Sequence, residues 1–135
     1  MKTIIRKKKV TLALLCGVVF AIFAVAVSVK TLACTLDTLS SPPSSMFVKS
    51  QACNGTGACN RSSTTIFTLS NAGPCGHTWT FTNTTTGCQK VFTTAGGVGT
   101  LQVFIPGSTG DNITLVISDD GGGSGPTYNM TGVSC

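Results

Sequence analysis

The sequence predicts an all-β fold: a small antiparallel β-sandwich of about seven strands, stapled by disulfides and preceded by an N-terminal hydrophobic helix. Three observations carry that reading. Six cysteines follow residue 33, an even number for a domain of this size. Short apolar alternations recur along residues 46–135, separated by turn residues. Threonine and serine, rather than the Ala, Glu, Lys and Leu that helices favour, supply most of the polar surface.

The leader comes first. Lys2, Arg6, Lys7, Lys8 and Lys9 precede an uncharged run from Val10 to Val29, then Lys30 and Thr31-Leu32-Ala33-Cys34. A charged head, an apolar stretch and a small-residue exit are the parts of a secretory signal. The run of about 20 residues would also span a bilayer core of about 30 Å as a helix. Residues 1–33 are therefore read as a signal peptide, cut after Ala33 or after Ser28, or as a retained membrane anchor. Either way the basic head stays on the cytoplasmic side, and the rest is extracellular or at the cell surface. Leu32-Ala33-Cys34 partly resembles the bacterial lipoprotein site, with Leu32 one position nearer the cysteine. That resemblance implies lipidation of Cys34.

The formal charge of +5 belongs to this leader. Beyond it stand Lys49, Arg61 and Lys90 against Asp37, Asp111, Asp119 and Asp120, with no glutamate. Three scattered cations make no phosphate-binding face, which excludes nucleic acid as a partner. Membrane contact is expected only through residues 10–29, if the leader is retained.

Cys34, Cys53, Cys59, Cys75, Cys88 and Cys135 are expected to form three disulfides, with Cys16 left in the leader. The nearest pair, Cys53 and Cys59, is the expected local bridge, closing a loop that holds Gly55 and Gly57. There is no Cys-x-x-Cys, and His77 is the only histidine, so no zinc or haem pattern is present and no cofactor is expected.

Residues 34–45 contain Ser40-Ser41-Pro42-Pro43-Ser44-Ser45 and read as a linker into a domain over 46–135. Strands follow at Met46–Lys49 and Thr64–Ser70. His77, Trp79 and Phe81 then alternate with Thr78, Thr80 and Thr82, which puts rings on one face and hydroxyls on the other. Asn83 to Gly87 makes a turn, and Cys88–Thr94 runs back. Leu101, Val103 and Ile105 share the face of one further strand. Ile113, Leu115 and Ile117 share the next, and Thr127–Cys135 closes the domain after a glycine-rich loop.

Gly110-Asp111-Asn112-Ile113-Thr114-Leu115-Val116-Ile117-Ser118-Asp119 resembles the penultimate strand of bacterial extracellular immunoglobulin-like modules of the polycystic-kidney-disease type. Those modules carry Gly-Asp-Tyr before alternating Thr and Val; here Asn112 replaces the Tyr, so the tyrosine corner is missing. The resemblance implies an immunoglobulin-like sandwich used as a surface spacer or adhesion module and names no binding residue; the expected partner is an extracellular protein or glycan.

Catalytic chemistry has little to work with: one histidine and four aspartates. His77 becomes a general base only where an Asp and a hydroxyl meet it; its alternation with Trp79 and Phe81 points to a packed histidine. Asp119-Asp120-Gly121 could offer oxygens to calcium, yet such a loop carries Asp for turn reasons alone, and no metal is expected. Trp79 and Tyr128 are the candidate stacking platforms for a sugar. Asn54, Asn60, Asn83, Asn112 and Asn129 open Asn-x-Ser/Thr triplets, glycan acceptors in a eukaryotic secretory pathway. The expectation is a non-catalytic secreted or cell-surface domain, structural or adhesive. A carbohydrate-binding module is the alternative, and a small secreted hydrolase using His77 the third reading.

Overall fold

A computed structural model describes residue 34, residues 37–55 and residues 63–135. The expected N-terminal helix, Cys59 and Asn60 lie outside the described residues.

Alternating burial makes strands here, and eight occur among the described residues: β1 Ser45–Lys49, β2 Thr65–Thr68, β3 His77–Asn83, β4 Gln89–Thr94, β5 Thr100–Val103, β6 Ile105–Pro106, β7 Asn112–Asp119 and β8 Tyr128–Ser134. No helix occurs among them. The strands form two sheets, one of six in the order β4-β3-β7-β8-β1-β6 and one of two, β2-β5. The period-two reading of β3 holds: His77, Trp79, Phe81 and Asn83 are buried, while Thr78, Thr80 and Thr82 face outward. On β7 the buried set is Ile113, Leu115 and Ile117.

The core lies where the sheets face each other. Phe67 of β2 reaches the larger sheet, with ring centroids 5.2 Å from Phe81 and 6.3 Å from Trp79. Phe81 meets Phe92 of β4 edge-on at 5.9 Å, a geometry that suits ring quadrupoles. Its neighbour Ile66 points the other way and is 56% exposed.

The sheet is mixed, which corrects the antiparallel expectation. β1 runs parallel to β8 and to β6. Parallel neighbours need a long connection, and β1 and β8 have nearly the whole domain between them. The expected single strand through Leu101, Val103 and Ile105 is two. β5 pairs with β2, the chain crosses between sheets at Phe104, and β6 pairs with β1. Pro106 has no N–H to extend that ladder, which suits a two-residue edge strand. The Asn83–Gly87 turn closes through the Gly87 N–H to the Asn83 carbonyl. Gly87 sits at φ +78°, where a side chain would be strained.

Within the expected linker, residues 37–44 pack onto the domain. Leu39 is buried and forms an antiparallel bridge with Leu69. The Ser40 N–H donates to the Thr68 carbonyl, and the Ser70 N–H to the Thr38 carbonyl. The Leu39 N–H donates to the Tyr128 hydroxyl at 3.0 Å. The segment thus straps the smaller sheet and enters the larger one as β1.

Two disulfides hold this frame, Cys34–Cys75 and Cys53–Cys88, and Cys135 is disulfide-bonded as well. The Cys53–Cys59 expectation is overturned. The loop after Cys53 closes through its own backbone, Gly55 N–H to the Ala52 carbonyl at 2.8 Å, which leaves Cys53 to bond the residue entering β4. Cys34 carries a bridge to Cys75, so its thiol is not available for the lipid that the leader resemblance implied.

Candidate functional site

Asp37 meets the single histidine at one end of the sandwich. β3 begins at His77, and the strap delivers Asp37 to it. His77 Nε2 lies 2.7 Å from Asp37 Oδ2, both side chains essentially sealed from solvent. With its proton on Nε2 the imidazole donates to the carboxylate, and the Gly73 N–H donates to the same oxygen at 3.0 Å. Asp37 Oδ1 and His77 Nδ1 have no hydrogen-bond partner. Asp119 lies opposite His77 in the β3–β7 register, and Asp120 Oδ2 accepts the Gly76 N–H at 3.1 Å. An aspartate does meet His77; the nitrogen that would have to relay a proton from a hydroxyl is buried and unbonded. The packed reading of His77 stands.

A second polar pair closes the other end of β3. Asn83 is fully buried. Its Nδ2 donates to Asp111 Oδ2 at 2.7 Å, and its Oδ1 accepts the Thr85 and Thr86 N–H groups. Asp111 Oδ2 also accepts the Ser108 N–H at 2.8 Å. The Asn83 amide, then the Ser108 N–H, hold the Asp111 carboxyl below its ordinary value, against a smaller opposing effect of burial. A folded carboxyl that titrates below its unfolded counterpart contributes stability that is complete above the ordinary value of 3.8. That contribution is lost as pH falls through the lower folded value. Urea midpoints followed downward from pH 5 should therefore drop through this range, and Asp111→Asn should flatten part of the drop. An equal drop in both proteins would contradict the assignment.

Sequence reasoning missed both pairs. Their members lie 40 and 28 residues apart, and nothing in local spacing announces them.

The remaining expected sites resolve individually. Trp79 is fully buried and donates from Nε1 to Thr94 Oγ1 at 3.0 Å, so it cannot stack on a sugar. Tyr128 packs against the core and its hydroxyl accepts the Leu39 N–H, which makes it a latch for the strap instead of a platform. Asn83 does not serve as a glycan acceptor: it ends β3, and its amide is sealed and committed to Asp111. Asn54, Asn112 and Asn129 are exposed. Asp119 Oδ1 accepts the Gly121 and Gly123 N–H groups, a turn role. No cluster of metal-ligating side chains occurs among the described residues.

No family model, curated protein or solved structure matches this chain.

Proposed function

We propose that residues 34–135 are an exported, non-catalytic, immunoglobulin-like sandwich with a structural or adhesive role at the cell surface or outside the cell. The observation that carries this is the disulfide frame. Cys34–Cys75 and Cys53–Cys88 staple a small domain, and Cys135 is bonded too. Such bonds persist in oxidising compartments and are rare in the cytosol.

Strand order supports the immunoglobulin-like part. In that fold the C, F and G strands share a sheet, a C′ strand extends it beside C, and the B and E strands belong to the other sheet. Here β3, β7 and β8 stand as C, F and G, β4 as C′, and β2 and β5 as B and E. Trp79 on β3 takes the place of the buried C-strand tryptophan. It packs toward Phe67 of β2, where antibody domains have a cystine between sheets. The Asp111–Asn83 pair does the anchoring that the missing tyrosine corner would do.

The non-catalytic part rests on what the carboxylates and the imidazole already do. Asp37, Asp111, Asp119 and Asp120 each accept bonds that fix a strand end or a loop.

Protease shaving of intact expressing cells, or assay of their medium, checks the compartment. The expected result is a domain cut from the cell surface or recovered outside, with no free thiol among residues 34–135. Recovery of the intact, fully reduced chain from cytosol overturns the proposal.

A further inference from the structure

Two strands cannot roof six, and the β4 end of the larger sheet shows it. Over β4 a cleft of about 260 Å³ stays open, bounded by β5 and by the crossing at Phe104. Phe92 of β4, Val103 of β5 and Phe104 give it apolar walls. Gln51 and Gln102 bring amides to it, and Lys90 is the one charged residue of its lining.

Lys90 stands on the wrong side of the sheet for a solvated lysine. It lies directly opposite Phe81 in the β3–β4 register, so the two side chains project to the same face, the core face. Phe81 is sealed there, and Lys90 is half-buried. No aspartate answers its charge. Asp37 bonds His77, Asp111 bonds Asn83, and Asp119 and Asp120 accept backbone N–H groups. The chain has no glutamate. An ammonium turned along an apolar wall gives up hydration and here gains no counter-charge from the described residues.

We infer that this cleft binds a small aromatic carboxylate, its anion on Lys90 and its ring against Phe92 and Phe104. Charge selects the anion. The amides assist it: each carries two N–H donors, and Gln51 gives only one to the Gly55 carbonyl, at 3.4 Å. The walls select the ring, since a flat rigid body stacks on aromatic side chains and has little conformational freedom to lose. The volume selects the size. It falls just below the range of about 300–1,000 Å³ for drug-sized ligands, which suits one or two fused rings and not a lipid. This inference goes beyond the structural role proposed above and does not rest on it.

Backbone-amide NMR of the full chain, titrated with naphthoate, tests it. In the wild type the amides of Lys90, Phe92 and Phe104 should shift and saturate, with a dissociation constant of about 1 mM or tighter. Naphthamide has the same shape without the charge and should bind roughly tenfold more weakly. Lys90→Met should lose that preference for the acid, and Lys90→Arg should keep it. Melting temperatures show that both variants are folded. Absence of a saturating shift at these amides, at ten times the expected constant, overturns the inference. So does equal binding of acid and amide by the wild type. Undiminished naphthoate binding by Lys90→Met overturns it as well, and leaves Lys90 as a charge that guards the β4 edge against pairing with another strand.

Discussion

Phe67→Ala is expected to cost about 3–5 kcal/mol of folding stability, the range for deleting a buried aromatic ring. Phe67 is the main side chain through which the two-stranded sheet grips the six-stranded one. It touches both Trp79 and Phe81, and both those rings are fully buried. β2 and β5 share four paired residues each, and the strap along Leu69 and the Phe47 N–H bond to the Thr65 hydroxyl hold them as well. The gap left by the ring would lie between sheets pinned by other contacts and could collapse only partly. Ile66→Ala is the control, because Ile66 is the adjacent residue and points to solvent. It should change stability by no more than about 0.5 kcal/mol. Denaturant unfolding of both variants, read at their midpoints, gives the comparison. Equal effects would mean that the strand does not present Phe67 to the core.

Removing the Cys34–Cys75 bridge by paired substitution to serine should be nearly as damaging. The bond closes a loop with a sequence separation of 41, for which the chain-entropy argument gives about 4 kcal/mol. The strap adds to that. Without the bridge, Asp37 and Leu39 keep only their bonds to Gly73, His77, Tyr128 and the edge of β2. If the strap then lifts, His77 loses its carboxylate partner while remaining buried. The single histidine makes this readable by NMR, since its ring signals should move in the double variant. A midpoint within experimental error of wild type would show that the strap is held by its hydrogen bonds and by Leu39 alone.

Much of the architecture was legible from local pattern. His77 to Thr82 alternates so cleanly that the buried rings and the outward threonines of β3 could be assigned before any coordinates. Ile113, Leu115 and Ile117 gave β7 in the same way. What local pattern cannot carry is pairing at a distance. The parallel partnership of β1 with β8 joins the two ends of the domain. The break at Phe104 is invisible in a run where Leu101, Val103 and Ile105 keep one parity while the chain changes sheets. Cysteine pairing failed for a related reason: Cys59 is close to Cys53 in sequence, yet the loop turns on its own backbone and the bridge goes to Cys88. Among candidate sites, Trp79 and Tyr128 drew attention for their ring chemistry. Burial removed one, and a hydrogen bond from the strap occupied the other. Asp37 and Asp111, which tie down the two ends of β3, carried no signal, because a lone aspartate in a serine- and threonine-rich chain looks like any turn residue.

Long-range disulfides fix the sandwich, and peptide mapping of the unreduced protein reads their pairing. Linked peptides should join Cys34 to Cys75 and Cys53 to Cys88, with Cys135 also oxidised. A peptide linking Cys53 to Cys59, or free thiols at Cys34 and Cys75, would contradict this pairing.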